Sequence, residues 1–251
     1  MTLSQASDIK SMEKAGQLTA QLLLYLEPYV KSGVTTNELD QLAYDYTLSK
    51  GAIPAPLNYH GFPKSICTSV NDCICHGVPD DSALKEGDIV NIDVTCIVNG
   101  FFGDSSKTFF VGNVSESAKK ITQCAYEAMN KGIEQVSGKS STGDIGFAVN
   151  KYVTRNGYFV VKEIGGHGIG RKFHDDPFVP SFGKKGKGAQ LKPWTCITVE
   201  PMINETATPI KEVSISNSEI KYYLTGDKTL SAQFEHTLLI TDTGYEILTQ
   251  I

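Results

Sequence analysis

The chain has 251 residues, 40% hydrophobic and 20% charged, enough apolar material for a substantial core in one large domain or two smaller ones. A formal net charge of -5 gives no bulk attraction for nucleic acid or an anionic membrane, and the short Lys184-Lys185-Gly186-Lys187 cluster reads as a solvated loop. No apolar run approaches the roughly 18 to 20 residues that span a bilayer, and Met1–Lys10 has neither a basic leader nor an apolar stretch, so a cytoplasmic protein with no membrane or specific nucleic-acid partner is expected.

In chain order, Ser7 is expected to cap a helix carrying Met12, Ala15, Leu18, Leu22 and Leu26, which ends near Glu27-Pro28. A second helix starts at Thr35, where Glu38 three residues on completes a capping box, and Gly51 stops it. Strand Ser65–Ser69 follows, then Cys75-His76-Gly77. The run Ile89–Val98 is rich in β-branched residues, and Asn99-Gly100 is the pair that supplies positive φ at both positions of a two-residue hairpin turn. Val98 then faces Phe101, and Thr95 faces Asp104. Asp93 lies on the same face as Asp104, diagonal to it, about 7 to 8 Å away. A buried unpaired carboxylate is costly, so two inward acids among Ile92, Val94, Ile97 and Phe102 point to a shared cation.

Helices are expected over Ser115–Val136 and from Thr142 to Gly157. Shifting the chain by 106 lays Thr36 on Thr142, Leu39 on Ile145, Tyr46 on Tyr152 and Gly51 on Gly157. A shift of 107 lays His60-Gly61 on His167-Gly168 and Val90–Asp93 on Ile197–Glu200. This is the pattern of a degenerate internal duplication. It gives Asp93 a counterpart, Glu200, approaching from the other half. Gly165–Gly170 sets His167 among glycines that let backbone come close to a bound group, and lacks the spacing of a phosphate loop. Glu235 sits in the apolar run Ala232–Ile240. The six cysteines (67, 73, 75, 96, 124 and 196) lack metal or disulfide spacing, as suits buried thiols in a reducing compartment.

The inward polar set is therefore Asp93, Asp104, His167, Glu200 and Glu235. Four carboxylates cannot share a core without cations, and two divalent ions balance them. One neutral imidazole among oxygen ligands suits Mn, Fe or Co rather than a thiolate zinc site.

Together these residues resemble the type I methionine aminopeptidases, M24-type metallopeptidases of the pita-bread fold. The resemblance rests on Asn58–Ser69, Cys75–Asp80, Gly87–Asp104, Gly166–Arg171, Phe173-His174, Val199–Met202 and Leu230–Thr237, and covers nearly the whole chain. It implies an α+β fold, a curved antiparallel sheet with helices on its outer face and an internal pseudo-two-fold. It also implies one catalytic domain over residues 1–251, in halves of about 1–112 and 113–251.

The implied activity is removal of the amino-terminal methionine from nascent proteins when the second residue is small, by a hydroxide held between two metal ions. Asp93, Asp104, His167, Glu200 and Glu235 are the implied ligands, with Asp104 and Glu235 bridging. His76 and His174 are implied to contact the substrate near the scissile peptide, and Glu200 to move a proton toward the leaving amine. The methionine pocket is implied to be lined by Tyr59, Phe62, Cys67, Phe173 and a residue after Asn217, left open between Tyr222 and Tyr223 because this chain has no tryptophan there. Asn71 and Ser231 are where relatives hold a monovalent cation. A monomer acting close to the ribosome, of bacterial or organellar type, completes the expectation.

Two departures are the missing tryptophan and Pro193-Trp194-Thr195, where Pro-Gly-Met is common. Pita-bread hydrolases that cut before proline carry a sizeable amino-terminal domain, whereas barely 60 residues precede Tyr59 here. Relatives that act only as binding proteins have lost metal ligands, and all five are present.

Overall fold

The protein is described by a computed structural model covering residue 3 and residues 5–250. Helix α1 (Ala6–Leu26) buries Met12, Ala15, Leu18, Leu22 and Leu26. Gln5, in extended conformation, precedes its first turn, so Ser7 lies inside the helix and is not its cap. Helix α2 (Thr36–Ser49) begins with the expected capping box, Thr35 Oγ1 accepting from Glu38 N and Glu38 accepting from Thr35 N. Short strands β1 (Ile53–Pro54), β2 (Cys67–Val70) and β3 (Cys73–Cys75) lead to the long hairpin β4 (Ile89–Val98) and β5 (Phe101–Phe110).

The second half repeats the plan. Helices α3 (Glu116–Ile133) and α4 (Thr142–Arg155) precede β6 (Phe159–Val160), β7 (Gly166–Ile169), β8 (Asp175–Val179) and β9 (Cys196–Val199). Strands β10 (Met202–Asn204), β11 (Lys211–Ser214), β12 (Lys221–Leu224), β13 (Ser231–Gln233), β14 (His236–Ile240) and β15 (Tyr245–Ile247) finish it. All strand pairs are antiparallel. In the first half β4 carries β1 and β2 along one edge and β5 along the other; in the second the order is β15-β14-β9-β7-β8.

The internal repeat is visible in detail. Helices α2 and α4 each span 14 residues and start 106 positions apart, each with a capping box, and Gly51 and Gly157 follow them at φ 70° and 80°. Strands β4 and β9 start 107 positions apart. The repeat breaks at His60, which lies in a 3-10 turn while His167 lies on β7. Two apolar cores follow the same plan. One joins α1 and α2 to β4 through Leu22, Leu39, Val90 and Ile92, and the other joins α3 and α4 to β9 and β14 through Ile121, Ile145, Ile197 and Leu238.

The hairpin has the expected register: Val98 faces Phe101 and Thr95 faces Asp104, with Asn99 and Gly100 at φ 53° and 76°. Its outer face is pressed by α1 at Gly103. The halves meet where Ser106 bridges to Glu235 and Thr237 Oγ1 donates to Asp104 O at 2.7 Å. Trp194 takes the left-handed conformation (φ 63°) in the turn where glycine is common, a geometry that costs a side-chain-bearing residue about 1–2 kcal/mol. Its N–H donates to Ile240 O at 2.7 Å, which holds the turn beside β14.

The α1 contact is testable. A Cβ on Gly103 would fall within the Ala15–Gly16 backbone of α1. Gly103→Ala should therefore cost about 1–3 kcal/mol of stability by overpacking, read by urea unfolding.

Candidate active site and metal centre

A cavity of about 220 Å³ opens where the two halves meet. All eleven residues singled out from the sequence line it: Asp93, Asp104, His167, Glu200 and Glu235 on one side, and His76, His174, Tyr59, Phe62, Cys67 and Phe173 around them. Strand alternation explains the convergence. Asp93 and Asp104 share the inward face of the β4–β5 ladder, Glu200 directly follows β9, His167 is on β7, and Glu235 lies between β13 and β14.

The ligand-bearing atoms are close. Oxygens of Asp104 and Glu235 and a ring nitrogen of His167 all lie within 4.8 Å of one another. His167 Nε2 is 3.7 Å from Asp104 Oδ2 and 3.6 Å from Glu200 Oε1. His167 Nδ1 lies 3.0 Å from Gly168 O, and a carbonyl can only accept, so Nδ1 carries the proton and Nε2 turns a lone pair toward the acids. Two threonines missed in the sequence reading hold the acids: Thr95 Oγ1 donates to Asp104 Oδ1 at 2.7 Å and Thr198 Oγ1 to Glu200 Oε1 at 2.8 Å. Both were within reach of sequence reasoning. Thr95 is the cross-strand partner of Asp104, and Thr198 stands two residues before Glu200. Gln233 Nε2 adds a 3.3 Å contact to Glu200 Oε2.

Burial disfavours the charge on every acid here. It pushes Asp93 up to about 7, and with help from the Asp93 charge it pushes Glu200 up to about 8. Asp104 and Glu235 are driven well above the ordinary carboxylate range, first by burial and then by neighbouring carboxylates, although the Thr95 hydrogen bond pulls Asp104 down. Among the described residues Glu235 Oε1 is buried with no hydrogen-bond partner. Four crowded carboxylates with an orphaned oxygen and a deprotonated ring nitrogen fit divalent cations as their missing partners.

The imidazoles of the rim are neutral. Burial lowers His76, and burial with the neighbouring histidines lowers His174 to about 3. His76 Nδ1 donates to Lys221 O at 3.1 Å, leaving Nε2 as an acceptor. Tyr59 OH lies 2.8 Å from His174 Nδ1, and Phe173 stacks on the His174 ring with centroids 4.3 Å apart. The fifth wall left open between Tyr222 and Tyr223 is neither: Ile220 lines the cavity. Tyr223 packs against the cluster of Ile74, Cys75, Val161 and Met202 with its ring 6.1 Å from that of His76, and Tyr222 lines a different pocket. Ile164, absent from the sequence reading, and Gly165 also line the wall. All six cysteines are free; the Cys67 thiol, pushed up by burial and by the charge of Asp93, is an apolar wall. Asn71 and Ser231 are neighbours, Ser231 N–H donating to Asn71 O at 2.9 Å, and Ser231 Oγ is buried with no hydrogen-bond partner among the described residues. No helix among the described residues is long and apolar enough to cross a membrane.

Comparison with known proteins agrees with this architecture. The pattern of metallopeptidase family M24 matches residues 10–242. Methionine aminopeptidase from Rickettsia prowazekii is 48% identical over 242 residues, 96% of this chain and 92% of the relative. Methionine aminopeptidase from Escherichia coli K12 is 43% identical over 251 residues, 99% and 94% of the two chains. The crystal structure of the Rickettsia enzyme superposes with a TM-score of 0.95 at 46% identity, covering 100% of both chains. A prolidase from Pyrococcus horikoshii OT3 has a TM-score of 0.77 at 21% identity, and the match covers 99% of this chain but 63% of the prolidase, a likeness of fold alone. With the family pattern over nearly all its length and close relatives end to end, the chain belongs to metallopeptidase family M24 and has its pita-bread fold.

Proposed function

We propose that the chain is a methionine aminopeptidase, a metal-dependent hydrolase that removes the amino-terminal methionine of polypeptides. The single observation that carries the chemistry is the convergence of four buried carboxylates and a neutral His167 in one cavity. Asp93, Asp104, His167, Glu200 and Glu235 would hold two divalent ions, Mn, Fe or Co, with Asp104 and Glu235 serving both. When bound, such ions lower the pKa of a water from 15.7 toward neutrality and polarise the substrate carbonyl. A monovalent cation between Asn71 and Ser231 belongs to the same reading.

The chain's own groups do the rest. Glu200, held by Thr198 and Gln233, takes a proton from the attacking water and delivers it to the leaving amine. With Tyr59 OH as donor across its 2.8 Å contact to His174 Nδ1, the neutral imidazole presents Nε2–H to the oxygen on which charge develops. His76 Nε2 accepts from the substrate's backbone N–H. Tyr59, Phe62, Cys67, Phe173 and Ile220 exclude water from the methionine side chain. The carboxylate-rich floor favours a free amino terminus over an internal peptide. One catalytic domain, acting as a monomer on nascent chains near the ribosome when the second residue is small, completes the proposal. The alternative, a proline-directed hydrolase, has only the low-identity likeness of fold behind it.

The activity test is release of methionine from Met-Ala-Ser in the presence of Mn, Fe or Co; failure with all three overturns the assignment. Asp104→Asn should bring release below detection, and wild-type turnover in that variant would move the site elsewhere. His174→Ala should lower kcat by about 10²–10³, the loss typical of one oxyanion donor.

Stability should also respond to pH with a definite sign. Carboxyls raised when folded bind protons more tightly than in the unfolded chain, where they titrate near 4. Their contribution is present below that value and is lost as pH rises through about 7 for Asp93 and about 8 for Glu200. Metal-free protein should therefore melt at a lower temperature at pH 8 than at pH 7, and saturating manganese should reverse the trend because the ion binds the deprotonated acids.

A further inference from the structure

One aromatic residue on β5 ties the strand that carries Asp104 to the segment that carries His174. Side chains alternate along β5: Lys107 turns out to Glu27 beside α1, whereas Asp104 lines the cavity, so Phe102 shares the face of Asp104. Phe102 is half-buried and is not itself a wall of the cavity. Its backbone N–H donates to Gly170 O at 2.8 Å, which pins the start of the segment that ends in Phe173 and His174. Its ring reaches the end of the same segment: Phe102 and Phe173 stack with centroids 5.5 Å apart and planes 20° apart. Phe173 in turn stacks on His174 with planes 13° apart. A run of near-parallel rings thus leads from β5 to the imidazole assigned to the developing oxyanion.

This stack supplies what the other contacts of His174 do not. Tyr59 OH holds one atom of the imidazole, Nδ1, and a single hydrogen bond leaves the ring free to swing about it. His167 meets the ring steeply, with planes 66° apart. A flat neighbour fixes the plane, and with it the direction of Nε2, on which the strength of a hydrogen bond to an oxyanion depends. Phe173 is that neighbour, and because it borders the cavity it takes its support from outside, from Phe102. Resting on the reading of His174 as the oxyanion donor, we propose that Phe102 is a positioning residue: through Phe173 it holds the His174 imidazole in the plane that aims Nε2–H at the substrate's carbonyl oxygen. A ring that served packing alone would be replaceable by an apolar side chain of similar volume.

The test is a double-mutant cycle in manganese-loaded full-length enzyme, with kcat and KM for methionine release from Met-Ala-Ser measured separately. Phe102→Leu and Phe102→Met fill the space without a flat ring and keep the backbone bond to Gly170. Each should lower kcat about 2–10-fold, the range that one aromatic pair supports, with KM within about two-fold of wild type. Phe102→Tyr, which keeps the ring, should hold kcat near the wild-type value. In a His174→Ala background, neither Phe102→Leu nor Phe102→Met should lower kcat further. Wild-type kcat in both variants would overturn the proposal, as would a tyrosine variant no faster than leucine. An equal loss in the His174→Ala background, or a loss confined to KM, would also overturn it, since these mark general packing or a wall of the methionine pocket. If His174→Ala itself turns over like wild type, the oxyanion reading fails, an outcome distinct from a silent Phe102→Leu.

Discussion

Burying four carboxylates against one another is the constraint on which the rest of this molecule depends. In a dry cleft each acid is driven toward its neutral form, and the neighbours make this worse for Asp104, Glu200 and Glu235. The acids stand on or beside paired strands, Asp93 and Asp104 within the β4–β5 ladder and Glu200 and Glu235 at the ends of β9, β13 and β14. The outer helices also insulate each sheet with an apolar layer. Cations of the kind a metallopeptidase uses would turn this liability into binding energy.

The pseudo-two-fold explains how such a cluster is assembled economically. Each half is a helix pair over an antiparallel sheet, and each brings a carboxylate at corresponding places: Asp93 near the middle of β4 and Glu200 just past the end of β9. Neither half is self-sufficient. Asp104 comes from the first and Glu235 from the second, and they are locked together by Thr237 and the Ser106 bridge. The repeat has been abandoned where function differs. His60 has left the metal floor for an exposed contact with Glu219 at 2.8 Å, while His167 keeps a ring nitrogen pointed at the acids.

Around the acids lie imidazoles kept neutral by burial. A neutral ring has one donor and one acceptor, and the partner on Nδ1 decides which faces the substrate. Lys221 O fixes Nδ1 of His76 as the donor and so leaves Nε2 as the acceptor, whereas Tyr59 OH, which can donate or accept, orients the His174 ring through Nδ1. Both orienting groups lie far off in the chain.

Much of this was legible in the chain itself. Asn99-Gly100 allows one tight turn, so the register of Thr95 against Asp104 follows from side-chain period two. Thr35 with Glu38 and Ser141 with Asp144 carry their own helix starts, and the spacing of 106 to 107 ties the two halves because local signals repeat with the local structure. Ser7 was misleading because a cap depends on which residue leaves the helical conformation, and Gln5 does so. Only the tertiary structure decided the rest. Tyr223 packs into the cluster of Ile74, Cys75, Val161 and Met202 beside His76, and Ile220 stands in the wall. Thr237 meets Asp104, and Ser106 meets Glu235, across more than a hundred residues of chain. Short-range sequence fixes dihedrals and alternation, but which groups face each other across a cleft is set by long-range packing, which no local pattern encodes.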